Sequence, residues 1–109
     1  MTAGYDALPF RVSVTRSGTR AVVRLVGELD VATAPELEAA IEDLLGADRP
    51  ELVLVEAGEL AFADVVGLGI LLEAAARLAP QGRLRIRDAG RQLVRILTLL
   101  DHADLIEER

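Results

Sequence analysis

Apolar and polar positions alternate at the start of the chain. Phe10, Val12 and Val14 are separated by Arg11, Ser13 and Thr15, the period-two pattern of a strand with one buried face. Ser17-Gly18-Thr19 marks a tight turn. Residues 21–26 are apolar except for Arg24 and read as a more central strand, paired with the first in a hairpin. The period then changes. Leu37, Ala40, Ile41 and Leu44 recur at helical spacing. Ahead of them, Thr33-Ala34-Pro35-Glu36 has the spacing of a capping box. That spacing predicts that the Thr33 hydroxyl accepts from the Glu36 amide while Glu36 reaches back. Pro35 is tolerated in the first turn because its missing N–H would be unpaired there. Gly46 closes the helix, and Pro50 helps to mark the next element.

Residues 52–55 form a short all-apolar run, predicting a strand buried on both faces. A loop over 56–63 is expected to lead to Asp64, and a helix over about 65–78 is apolar almost all round. Within it, Glu73 and Arg77 are spaced for an i, i+4 ion pair on the exposed side. Pro80-Gln81-Gly82 breaks the chain. Leu84 and Ile86 then alternate with Arg85 and Arg87, as in a one-sided or edge strand. A last helix over about 91–100 places Leu93, Ile96, Leu97 and Leu100 on one face. The tail, residues 101–109, offers Leu105 and Ile106 for a short helix or strand. The order β-β-α-β-α-β-α implies a mixed sheet whose later strands are parallel, joined by right-handed crossovers. Residues 1–8 read as a flexible lead-in, and 9–109 as a single α/β domain.

Composition narrows the chemistry. The chain has 109 residues, which suits one domain. Hydrophobic residues make up 51% and aromatics only 3%, so the core must be aliphatic. With no Cys and one His, thiolate and imidazole metal sites are excluded, and His102 reads as a surface or helix-end residue. A net charge of -6 argues against nucleic acid and against anionic lipid. The longest apolar run, within 61–79, is interrupted by Asp64, Glu73 and Arg77 and reads as a buried helix rather than a membrane insertion. With no signal-peptide pattern at the N-terminus, a cytoplasmic protein is expected.

Few residues carry candidate chemistry. Asp64 stands where the second helix needs an N-cap, a contact worth roughly 1 kcal/mol. Gly67 and Gly69 follow it without the Lys or the full fingerprint of a phosphate-binding loop, and read as points of close helix–sheet approach. Glu28 and Asp30 form an acidic loop after the second strand. Read as a glycosidase pair, they would lack both a cleft and aromatic platforms. Of Val65 and Val66, at least one is expected to face inward, leaving the other as an apolar spot on the surface. No nucleophile, base and orienting partner can be assembled, so a non-catalytic protein without cofactors is expected.

Two segments resemble the STAS domain family of anti-sigma factor antagonists. The first, Gly27-Glu28-Leu29-Asp30-Val31-Ala32-Thr33-Ala34, is similar to the family's stretch after the second strand. The second matches the family signature at Phe62, Asp64, Gly67, Leu68 and Gly69, with Glu56 where the family usually has Asp. The resemblance implies a four- to five-stranded mixed sheet with helices packed mainly on one face. It also implies a protein partner, such as a serine-kinase anti-sigma factor or related regulator, bound through a surface that includes Glu28, Asp30, Thr33, Asp64, Val65, Val66 and Gly67. In that family the hydroxyl residue matching Val66 is the phosphate acceptor that ends partner binding. Neither Val65 nor Val66 can accept phosphate, and no Ser, Thr or Tyr lies between Thr33 and Thr98. The resemblance therefore implies a docking module without its usual switch. It admits two alternatives: an accessory subunit of a membrane transporter or stress-signalling assembly, or a degenerate paralogue that titrates a partner.

Overall fold

The alternating N-terminal residues become β1 (Arg11–Ser17) and pair antiparallel with β2 (Arg20–Leu29). The computed structural model describes residues 9–46 and 48–107, so the lead-in over 1–8 and the last two residues of the tail fall outside the described residues. Gly18 turns the hairpin at φ 63, a left-handed value that costs glycine little. α1 (Ala34–Gly46), β3 (Leu52–Ala63), α2 (Val65–Leu78), β4 (Arg83–Arg87) and α3 (Arg91–Leu99) follow, with a 3₁₀ turn at Ala103–Leu105. The sheet has four strands in the order β1-β2-β3-β4, with β2, β3 and β4 mutually parallel.

One face of this sheet carries the core. Val23 and Leu25 of β2, Val53 and Val55 of β3, and Leu84 and Ile86 of β4 bury their side chains there. They form one cluster with Leu37 and Ile41 of α1, Leu68 and Leu71 of α2, and Leu93 and Leu97 of α3. All three helices therefore cover the same face. β4 is the edge strand that its alternation predicts. The tail docks on it: Leu105 is buried, Ile106 bridges Ile86, and the Glu107 amide donates to the Ile86 carbonyl at 2.8 Å.

Several expectations are corrected. β3 does not stop at Val55; it runs to Ala63, and β2 continues to Leu29 beside it. The expected loop over 56–63 is thus a strand. Its pairing with β2 slips twice, between Arg24 and Val26 and between Gly27 and Glu28. Such bulges break the period-two pattern by which strands are read. Arg77 does not pair with Glu73. It reaches across to Glu42 of α1 at 2.6 Å, and this hydrogen bond is the main reason its pKa lies above the ordinary value. The Arg49 guanidinium donates to the Arg77 carbonyl at 2.8 Å, tying the loop after α1 to α2. Leu100 leaves the buried face of α3 because it is the helix C-cap and lies exposed.

Candidate functional site

The parallel strands β2 and β3 end together, with Leu29 opposite Ala63. The chain leaves β2 into the loop that starts α1 and leaves β3 directly into α2. Both junctions therefore sit at the carboxyl end of the sheet, where open α/β sheets generally place their binding sites. Two contacts lock the junctions together. The Asp64 amide donates to the Leu29 carbonyl at 3.0 Å. A Cβ on Gly67 would lie 3.0 Å from both Leu29 Cδ atoms and closer still to Cγ. Only glycine lets α2 approach β2 this closely. Gly69, by contrast, has open space where a Cβ would stand, so the expected close approach holds for Gly67 alone.

Asp64 caps α2 as expected, its Oδ1 accepting from the Gly67 amide at 2.9 Å. The capping box at Thr33 does not form. The Thr33 hydroxyl accepts from the Asp30 amide at 2.9 Å and donates to the Glu28 carbonyl at 2.8 Å. Asp30 Oδ1 accepts from the amides of Ala32 and Thr33 at 3.0 and 3.1 Å. Glu36 meets Thr33 only through the backbone, its amide donating to the Thr33 carbonyl at 3.0 Å. The reason is local competition: short polar side chains in a turn bond to nearby backbone groups before a helix can use them. Asp30 and Thr33 thus build the loop, and the side chain of Glu28 is left exposed.

Val65 and Val66 depart from expectation. Both are exposed, at 60% and 50%, so neither faces inward. Both lie on the side of α2 away from the buried Gly67, Leu71, Ala74 and Leu78: Val65 is in helical phase with the exposed Ala76, and Val66 with the exposed Glu73. The last pair of β2 and β3 is Leu29 with Ala63, so the first turn of α2 starts at the end of the sheet, with its Gly67 side against Leu29 and its valine side in water. Gly67 is buried and shapes this surface from below.

Two further apolar residues at this end were missed by the sequence reading. Val31 is 68% exposed in the β2–α1 loop, and Phe62 is 39% exposed one residue before the end of β3. The available signal was a large apolar side chain in an otherwise polar loop, and one of only two Phe residues in the chain. A cleft adjoining the site, lined by Leu60, Phe62, Gln92 and Leu93, encloses about 130 Å³, well below the ~300 Å³ of a small-molecule pocket. Gln92 of α3 braces the site, its Oε1 accepting from the Ala63 amide at 3.2 Å.

This arrangement of strands, junctions and capped helix has known counterparts. The family described as "Mlab, STAS domain" matches residues 12–107. The chain belongs to the STAS domain family. An anti-sigma factor antagonist from Mycobacterium paratuberculosis is similar over 90% of this chain and 83% of its own, at 26% identity and a TM-score of 0.80. The phosphorylated form of SpoIIAA, a Bacillus cell fate determinant, is similar over 93% of this chain and 91% of its own, at 20% identity and a TM-score of 0.75. A sulfate transporter family protein from Wolinella succinogenes shares the fold over 84% of this chain and 79% of its own, at 12% identity and a TM-score of 0.67. No curated protein matches the chain in sequence. The α/β fold expected for a STAS domain, a four- to five-stranded mixed sheet with helices mainly on one face, is observed with four strands and three helices. No helix among the described residues of this STAS domain is long and apolar enough to cross a membrane.

Proposed function

We propose that this STAS domain is a non-catalytic docking module that binds a regulatory protein through the carboxyl end of its sheet, without phosphorylation control at that site. The observation that carries the reading is the exposed valine pair at the start of α2. Two adjacent large apolar side chains in water are unfavourable unless a partner covers them. Val31 and Phe62 extend the apolar surface, and Glu28 lies at its rim. Asp30, Thr33, Asp64 and Gly67 act indirectly: they hold the two junctions in place. The partner class follows from similarity to an anti-sigma factor antagonist and is an anti-sigma factor, of the serine-kinase type or a related regulator.

A phosphate in this helical first turn would add about -1.5 to -2 charges, next to amides and a dipole that favour an anion. With Val65 and Val66 there, that chemistry is absent and binding is constitutive. The fold shared with a sulfate transporter family protein supports a second reading, in which the same surface holds an accessory subunit against a transport assembly.

Affinity capture from cells of the source organism tests both readings, with wild type compared against Val65→Asp/Val66→Asp. An anti-sigma factor captured by wild type and lost with the variant supports the first. A transporter subunit with the same behaviour supports the second. Equal capture by both proteins, or none by either, overturns the docking surface. With the captured kinase and ATP, the peptide covering residues 62–70 should keep its unmodified mass.

A further inference from the structure

The sheet has a second face that none of the three helices covers. Leu54 of β3 is only 4% exposed yet lies outside the core cluster. Its register neighbours are Val22 and Arg85, so it faces away from the helices. Following the register across all four strands gives the rows on this face. Ser17, Arg20, Leu52 and Arg83 form one row; Thr15, Val22, Leu54 and Arg85 form the next; Ser13, Arg24, Glu56 and Arg87 form the third. The result is an apolar strip of Val22, Leu52 and Leu54 flanked by arginines, whose aliphatic stems shelter it.

Charge on this face is unevenly balanced. Arg24 pairs with Glu59, and Arg87 with Glu56 and Glu107, so the third row is neutralised. Arg20, Arg83 and Arg85 make no ion pair among the described residues. The opposite side of the molecule is acidic. The outer face of α1 exposes Glu36, Glu38, Glu42 and Asp43 around Ala39, and among the described residues only Glu42 of these is engaged, by Arg77. A chain of net charge -6 thus carries, among the described residues, a cluster of unpaired arginines and a cluster of unpaired carboxylates on opposite sides of its sheet.

We propose that the open sheet face seats the acidic outer side of α1 from a second copy of this chain. Arg20, Arg83 and Arg85 meet Glu36, Glu38 and Asp43, and Ala39 lets the helix settle over the partly exposed Val22 and Leu52. Both surfaces belong to one chain and are complementary in charge.

Because the two surfaces lie on opposite sides, the contact is head-to-tail and does not close, so association has no fixed stoichiometry. Three rows on four strands cover on the order of 300 Å² per copy. That is well below the roughly 800 Å² per partner of a stable complex, so the contact is weak and is set by charge.

Sedimentation velocity of the full chain tests this. At about 20 mM salt the weight-average mass should rise with protein concentration, and at about 0.5 M salt, where charges are screened, it should fall to that of the monomer. Arg83→Glu/Arg85→Glu and Glu38→Arg/Asp43→Arg should each weaken association by about tenfold or more, and an equimolar mixture of the two should restore it. Arg83→Ala/Arg85→Ala, a milder pair, should weaken it to a lesser extent, and circular dichroism checks that each variant is folded. A wild type that stays monomeric at low salt at every concentration overturns the proposal. So does association that ignores both charge reversals, or a mixture that fails to recover it.

Discussion

At the residue scale, Gly67 and Val66 illustrate two different constraints. A methyl group on Gly67 would overlap Leu29. Gly67→Ala should therefore cost about 1–3 kcal/mol, as overpacking does, seen as a lower urea midpoint. Combined with Leu29→Ala, the total loss should be smaller than the sum of the two single losses, because the two residues share one contact. Val66 is under no such constraint. It is half exposed, so Val66→Ser should shift stability by no more than about 0.5 kcal/mol, while giving a partner kinase a hydroxyl to modify. The Asp64 cap was legible in the sequence because its acceptor and donor are three residues apart. Thr33 misled because the same hydroxyl had two suitors. The turn residues Glu28 and Asp30 hold it, and spacing alone does not rank a turn against a helix. The direction of Val65 was illegible for another reason: α2 is apolar almost all round, so its periodicity does not say how far the buried side extends.

The largest surprise at the scale of elements is the far half of β3. Ala57, Gly58, Ala61 and Ala63 have little intrinsic preference for a strand, and the two slips in register hide what alternation there is. The segment is extended because β2 lies beside it out to Leu29. Hydrogen exchange should show this directly. Amides between Glu59 and Ala63 that bond to β2 should be protected on the scale of the sheet interior, whereas a surface loop would exchange close to the unfolded rate. Elements with an unbroken period were read correctly. α2 begins and ends where its cap and its Pro80-Gln81-Gly82 break predict, and β4 shows the inward Leu84 and Ile86 of its alternation.

At the scale of the whole molecule, a single aliphatic cluster joins every helix to the sheet. A cavity cut into it should therefore weaken all parts together. Leu97→Ala, in the short α3, should cost about 2–5 kcal/mol. Far-UV circular dichroism and exchange of β2 amides should then report one coincident transition rather than early loss of α3. The same one-sided core leaves the other sheet face without a helix over it among the described residues, which is why arginines spread along β2 and β4 come to stand in rows there. No window of sequence holds that pattern: Arg20 and Arg83 become neighbours across Leu52 only through strand order.

The sequence by itself determined the order of elements, the aliphatic core, the cap on α2 and the absence of a hydroxyl at its first turn. Each of these is a local property, carried by residues within a few positions of one another or by composition. Tertiary structure alone decided how far β3 extends, which partner Arg77 takes, that both valines face water, and which arginines share a face. Each of these depends on how one strand or helix is placed against another distant in the chain, and local periodicity carries no information about that.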